Sequence, residues 1–236
     1  MPARTAYRQL QAIRDRLPQY RPHPRPPQLA ENILALANVY DVYWFDAFGV
    51  LNVGPQPIPG AVEAVAALRE RGKQVFVLSN AASVSKPNMV KRFAGLGFDF
   101  SADEIVTSRD AVLDALAARP RPLILGNPDL IAPMPEHTSI EPGSYILTLP
   151  DEAFAHVHVC GKPYPAIYEH AAGRLAHFDP ARTLMCGDTL HTDILGGNAF
   201  GVRTALLTAH GFYRDLDYHD YIGDSGIIPD HILPRL

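Results

Sequence analysis

Residues 42–54 read VYWFDAFGVLNVG. Four apolar residues run straight into Asp46, so the segment predicts a buried strand that ends on a carboxylate. From Asp41 onward the pattern repeats. QVFVLSN (74–80), EIVTS (104–108), HVHVC (156–160), TLMCGD (183–188) and RTALLT (203–208) are strand-like runs separated by stretches of helical periodicity. In the first such stretch, Ala61 to Arg71, Val62, Val65 and Leu68 fall on one stripe, with Pro59 near the start and Gly72 as the stop. Further helices are predicted after Lys86, Ser108, Tyr164 and Thr192. Strands alternating with helices predict an α/β fold, a Rossmann-like parallel sheet with helices on both faces. Ligands of such sheets bind at the carboxyl ends of the strands.

Composition bounds the rest. With 236 residues and 47% hydrophobic content, the chain can bury one substantial core and a small appended module. A formal charge of −4 gives no field to attract a polyanion, so nucleic acid is not an expected partner. Cys160 and Cys186 are too few for a disulfide framework and read as buried thiols of a reducing compartment. No run approaches the ~20 apolar residues of a membrane span. A soluble, cytoplasmic protein without a membrane partner is expected. Residues 1–27 are rich in arginine and proline, ending in RPHPRPP, and read as a short helix followed by an extended arm. Between about Gly126 and Asp151 the alternation breaks down. The expected organisation is an arm at 1–27, a core at 28–108 and 158–236, and an insert at 109–157. The final IIPDHILPRL reads as a last short strand or a tail against the sheet.

Three strand ends carry polar residues: Asp46 after VYWF, Ser79 and Asn80 after VFVL, and Asp188 after TLMCG. Singly, each reads as a helix cap or a turn opener. With Gly161-Lys162-Pro163 and the pair Asp188 and Asp193 they form an ordered series. In DAFGVLNVG (46–54), LSNAAS (78–83), CGKPYPAIY (160–168) and CGDTLHTDILGGNAFGV (186–202) the chain resembles the haloacid dehalogenase superfamily. Within it the likeness is to the class IIA phosphatases, which carry an α/β cap after the second motif. The resemblance implies that Asp46 attacks phosphorus to give an aspartyl-phosphate that water hydrolyses. It implies a Mg²⁺ ion held by Asp46, Asp188 and the backbone carbonyl of Phe48, with Asp193 orienting metal-bound water. Lys162, Ser79 and the amide of Asn80 would bind phosphoryl oxygens. A phosphoryl group is surrounded by negative oxygens, so cations and oriented donors are what such an attack requires.

Two departures qualify what the resemblance implies. Family phosphatases carry a second aspartate two positions after the nucleophile, where it protonates the leaving oxygen; here that position is Phe48. Candidate replacements are His191, Asp129 and, through a bound water, Asn52. His191 is preferred among them because it lies between Asp188 and Asp193, although a helix-capping spacer role fits it as well, and Asp129 reads first as a turn residue. The insert is also tens of residues shorter than a full cap. An open site follows, taking a bulky substrate or closed by a neighbouring subunit in a homodimer. The expected activity is Mg²⁺-dependent hydrolysis of a small phosphorylated metabolite, weakened by Phe48. The alternatives are a phosphoryl-ligand binder or interaction protein that keeps the metal site, and an enzyme that keeps the nucleophile but cleaves a different bond.

Overall fold

The computed structural model of the protein describes residues 3–22, 25–118, 123–133, 138–147 and 149–236. Its strands in chain order are β1 (Gln28–Leu29), β2 (Val42–Phe45), β3 (Asn52–Val53), β4 (Gln56–Pro57), β5 (Gln74–Ser79), β6 (Ile105–Thr107), β7 (Leu123–Leu125), β8 (Ile131–Pro133), β9 (Thr138–Ile140), β10 (Val157–Val159), β11 (Thr183–Gly187), β12 (Arg203–Leu207) and β13 (His231–Leu233). Seven of them form one parallel sheet in the order β1-β13-β12-β11-β2-β5-β6.

Strand β2, flanked by β11 and β5, is buried along its whole length. Alternate residues serve opposite faces, as the period of two in a strand requires. Tyr43 and Phe45 join the core formed with Val65 and Leu68 of helix α2 (Ala61–Glu70) and Met89 and Phe93 of α3 (Lys86–Gly95). Val42 and Trp44 join the opposite core with Ile167, Tyr168 and Ala171 of the Pro165–Ala172 helix, where Trp44 stacks on Phe178 at 5.7 Å between ring centroids. β13 adds His231–Leu233 of the HILPRL segment to the sheet, and β1 brings Gln28 and Leu29 to its edge.

One strand expected in the sheet is elsewhere. HVHVC, as β10, pairs in parallel with β7 in a separate two-stranded sheet, and the expected boundary at 157/158 runs through it. The physical reason is its alternation of histidine and valine, which suits a ribbon covered on one face, whereas strands buried on both faces read as continuous apolar runs. Val159 packs on Leu125, Leu130 and Leu147 rather than on either face of the main sheet. The insert further contains α4 (Ser108–Ala118), the antiparallel hairpin β8–β9, and short helical turns at Gly143–Ile146 and Asp151–Phe154. Residues 119–122, 134–137 and 148 of the insert, and Met1, Pro2, His23 and Pro24 of the arm, lie outside the described residues.

The arm is built into the fold. Tyr7 of α1 (Ala3–Ala12) packs edge-on against His191 and Tyr221, and its hydroxyl donates to Asp224 Oδ2 at 2.7 Å. Arg16 donates to the carbonyls of Leu147 and Leu149 in the insert, at 2.7 and 2.6 Å. Ala6 and Leu10 line the cavity beside Asp46. This chain's own first helix thus borders the cavity that the short insert leaves partly uncovered. Among the described residues, no helix is long and apolar enough to cross a membrane.

Candidate phosphoryl-transfer site

β11, β2 and β5 are neighbours in the sheet, and their register sets Cys186 beside Phe45 and Phe45 beside Val77. Parallel neighbours end on the same edge. The residues that follow them, Asp46, Asp188, and Asn80 with the terminal Ser79, therefore meet although they are far apart in sequence. The Asp46 amide donates to the Cys186 carbonyl at 2.9 Å, which continues the ladder one residue past the strand.

After Asp188 the chain enters a single π-helical turn, Leu190–Ile194. Such turns widen the backbone and recur at functional sites. Here the turn brings Asp193 back beneath its own start, where Asp193 Oδ2 accepts from the Thr189 amide at 3.2 Å. A Cβ at Gly187 would overlap the Asp193 carboxylate, and one at Gly49 or Gly211 would overlap that of Asp188. Gly49 is in addition left-handed, at φ +79°. Asp188 is further held by Phe212 N–H at 2.7 Å and Thr189 Oγ1 at 3.0 Å.

Lys162 is buried between the two halves of the cluster. Its Nζ donates to Asp46 Oδ1 and to Asp193 Oδ1, each at 2.6 Å. Burial alone would lower the lysine, but Asp193 and Asp46 outweigh it and hold the ammonium charged well above its ordinary range. Burial pushes the Asp46 and Asp188 carboxyls upward; at Asp46 the pull of Lys162 opposes this, and at Asp188 repulsion from Asp46 and Asp193 adds to it. Ligand oxygens of Asp46, Asp188 and Asp193 lie within 4.8 Å of one another. Three carboxylates, buried Asp188 and Asp193 and partly buried Asp46, face one ammonium, an excess of negative charge that a divalent cation would neutralise, and an all-oxygen set suits a hard ion. The residues present fit a divalent metal.

Above the cluster opens a cavity of about 290 Å³ lined by Asp46, Phe48, Ser79, Asn80, Lys162 and Asp188 on the core side, and by Asn127, Asp129, Leu130, Ile131, Glu141 and Pro142 of the insert. A small metabolite fits this size. Phe48 lies in its wall, its ring 4.8 Å beneath the guanidinium of Arg92 from α3. The Arg92 guanidinium has no hydrogen-bond or ion-pair partner among the described residues, and burial lowers its pKa.

The candidate replacements for the missing aspartate separate cleanly. His191 is corrected: it is buried away from the cavity under α1, its Nε2 2.8 Å from Gln11 Oε1, and burial pushes it down to about 3, so it is neutral. Its position in sequence between Asp188 and Asp193 does not bring it to the cavity, because the turn that carries Asp193 to Lys162 points His191 the other way, toward Gln11 and Tyr7. Asn52 is wholly buried off the cavity wall, its side-chain amide donating to the Gly54 carbonyl at 2.8 Å. Asp129 is in the cavity, and Asn80 Nδ2 donates to its Oδ1 at 2.8 Å. Its sequence signal, Asn127-Pro128-Asp129, also describes an ordinary turn, and the Asn127 side chain does accept from the Asp129 amide as such turns do. Arg92, Ala6 and Leu10 carried no signal, since nothing in a helical stripe tells which cavity a helix borders.

Two family models match the chain: haloacid dehalogenase-like hydrolase over residues 43–137, and HAD-hydrolase-like over residues 159–236. A curated relative, haloacid dehalogenase-like hydrolase domain-containing protein 2 of Bos taurus, is 26% identical over 81% of this chain and 95% of its own length. Among solved structures, a possible sugar phosphatase of the superfamily from Cytophaga hutchinsonii superposes with a TM-score of 0.74 at 24% identity, covering 89% of this chain and 98% of that one. A glycerol phosphate phosphatase from Mycobacterium tuberculosis, solved with magnesium, gives 0.69 at 20% identity, covering 84% and 76%. The sheet order, the strand-end aspartates and these matches agree: the chain belongs to the haloacid dehalogenase-like hydrolase family.

Proposed function

We propose that the protein is a Mg²⁺-dependent phosphohydrolase that acts on a small phosphorylated metabolite through an aspartyl-phosphate at Asp46. The observation that carries this reading is the buried Lys162, bonded at once to Asp46 and Asp193 beside a third carboxylate, Asp188. Lys162 holds the Asp46 carboxylate in place and presents positive charge to phosphoryl oxygens. Ser79 and the Asn80 amide, at the end of the neighbouring strand, donate to the same oxygens. Asp46, Asp188, Asp193 and the Phe48 carbonyl would hold the metal, whose chemistry is to neutralise the charge that repels a carboxylate from a phosphoryl group. The phosphatases among the structural neighbours support this reaction class. The buried thiols Cys160 and Cys186 favour a reducing, cytoplasmic setting.

Phosphate release from an aryl and an alkyl phosphate is expected to need both added Mg²⁺ and Asp46. Chelation or Asp46→Asn should abolish it, and activity surviving Asp46→Asn would remove the nucleophile from the scheme. A second reading, a phosphoryl-ligand binder without turnover, is favoured by the phenylalanine at position 48. Its signature is an inert wild type that gains hydrolysis on Phe48→Asp.

A further inference from the structure

We infer that Asp129, supplied by the insert, is the general acid–base that position 48 lacks. This rests on the reading of Asp46 as the nucleophile. Of the ionisable groups on the cavity wall, Asp46 and Asp188 belong to the nucleophile and metal set, and Lys162 is locked between two carboxylates. Arg92 keeps its proton near neutrality because a guanidinium cannot release one there. Glu141 is turned to its own loop, accepting from Asn127 Nδ2 at 3.0 Å and Ser139 Oγ at 2.5 Å. Asp129 remains. Asn80 occupies its Oδ1, whereas Oδ2 has no protein donor among the described residues, which leaves one oxygen at the cavity wall to carry a proton.

The carboxyl is held in place by close backbone packing. Asn80 Oδ1 accepts from the Lys162 amide at 2.6 Å, so a single asparagine links Asp129 to the loop carrying Lys162. A Cβ at Gly161 would lie 2.7 Å from Asn80 Oδ1 and overlap Pro128, and one at Gly143 would overlap the Pro128 carbonyl. The Gly143 amide donates to the Asp129 carbonyl at 3.0 Å. These approaches seat the turn on the catalytic floor.

In-line displacement puts the leaving oxygen on the side of phosphorus away from Asp46, which in this cavity is the insert side. As Asp46 bonds to phosphorus and the phosphorus–oxygen bond of the ester breaks, the departing oxygen takes the proton of Asp129. The resulting carboxylate then accepts a proton from the water that attacks the aspartyl-phosphate. The bond from phosphorus to Asp46 breaks, phosphate leaves, and Asp129 is protonated again. Burial lifts Asp129 to about 7; Lys162 and the Asn80 hydrogen bond pull it down, while Asp46 and Asp193 push it up. That value suits a group that must give and take a proton near neutrality.

The test uses the full chain with Mg²⁺ and compares kcat/KM for an aryl phosphate, whose phenolate leaves unprotonated, with that for a simple alkyl phosphate. Asp129→Asn keeps the acceptor for Asn80 and is expected to cost the alkyl ester about 10² to 10⁴ in kcat/KM and the aryl ester less than about tenfold. The wild-type alkyl profile should fall as pH rises through the pKa of Asp129, which burial holds above the usual carboxylate range, and the variant should lack that limb. Asp129→Glu should recover part of the alkyl rate. Equal losses on both esters, or a falling limb that persists in Asp129→Asn, would overturn the assignment to Asp129 and leave Asp46 standing. Equal phosphate release by wild type and Asp46→Asn would overturn both.

Discussion

At the scale of single residues, the site is governed by Lys162. An ammonium taken out of water is tolerable because two carboxylates meet it at 2.6 Å, and each of those is tolerable because of the ammonium. Lys162→Met removes the cation and leaves buried negative charge behind. Measured by urea unfolding without divalent ions, the variant is expected to lose about 3–5 kcal/mol at about pH 8, the cost of breaking a buried pair. The sign of its pH dependence is fixed. Burial holds the Asp46 and Asp188 carboxyls above their unfolded values, and without Lys162 the Asp46 carboxyl rises further. Groups raised in the folded state favour folding below their unfolded pKa and lose that contribution as pH rises, so the deficit should shrink toward about pH 4. A deficit that grows on acidification would contradict this account of the cluster.

At the scale of elements, function comes from where strands stop and how the chain turns next. β2, β5 and β11 run apolar toward their carboxyl ends and deliver Asp46, Ser79 with Asn80, and Asp188 to one edge. The π turn adds Asp193 and directs His191 the opposite way, to Gln11 and Tyr7 of α1. That helix therefore both borders the cavity and keeps His191 dry. Leu10→Asp, which puts a charge into the buried face of α1, is expected to undock it. His191, held down to about 3 by burial with Arg14 adding to the effect, should then titrate nearer its ordinary 6.5. NMR of the imidazole reads this directly, and an unchanged His191 in a folded variant would mean that α1 is not what shields it.

At the scale of the whole molecule, core, arm and insert converge on one charged cluster, so an ion bound there would link metal binding to folding. A divalent ion that binds only the folded chain adds about 2.7 kcal/mol at a hundredfold excess over Kd. For a chain of this size that is a rise of roughly 5–10 °C in Tm. Mg²⁺ should produce it in the wild type, and Asp193→Asn should largely erase it; equal shifts in both would place the ion elsewhere.

The sequence alone determined the parallel α/β core, because strands buried on both faces must be apolar throughout and the helices between them must carry one apolar stripe. It also marked Asp46, Ser79, Asn80 and Asp188, since a polar residue at the end of an apolar run is visible without knowing its neighbours, while Lys162 and Asp193 were marked by the resemblance of their segments to the family's motifs. The tertiary structure decided the rest. HVHVC left the main sheet because its alternation covers only one face. His191 and Asp129 changed places as candidates because the direction of a side chain depends on a π turn in one case and on glycine-permitted backbone contact in the other. Neither is encoded in residue spacing. Likewise, that α1 and Arg92 border the cavity is a consequence of which helix packs over which strand end, a long-range property that local pattern does not carry.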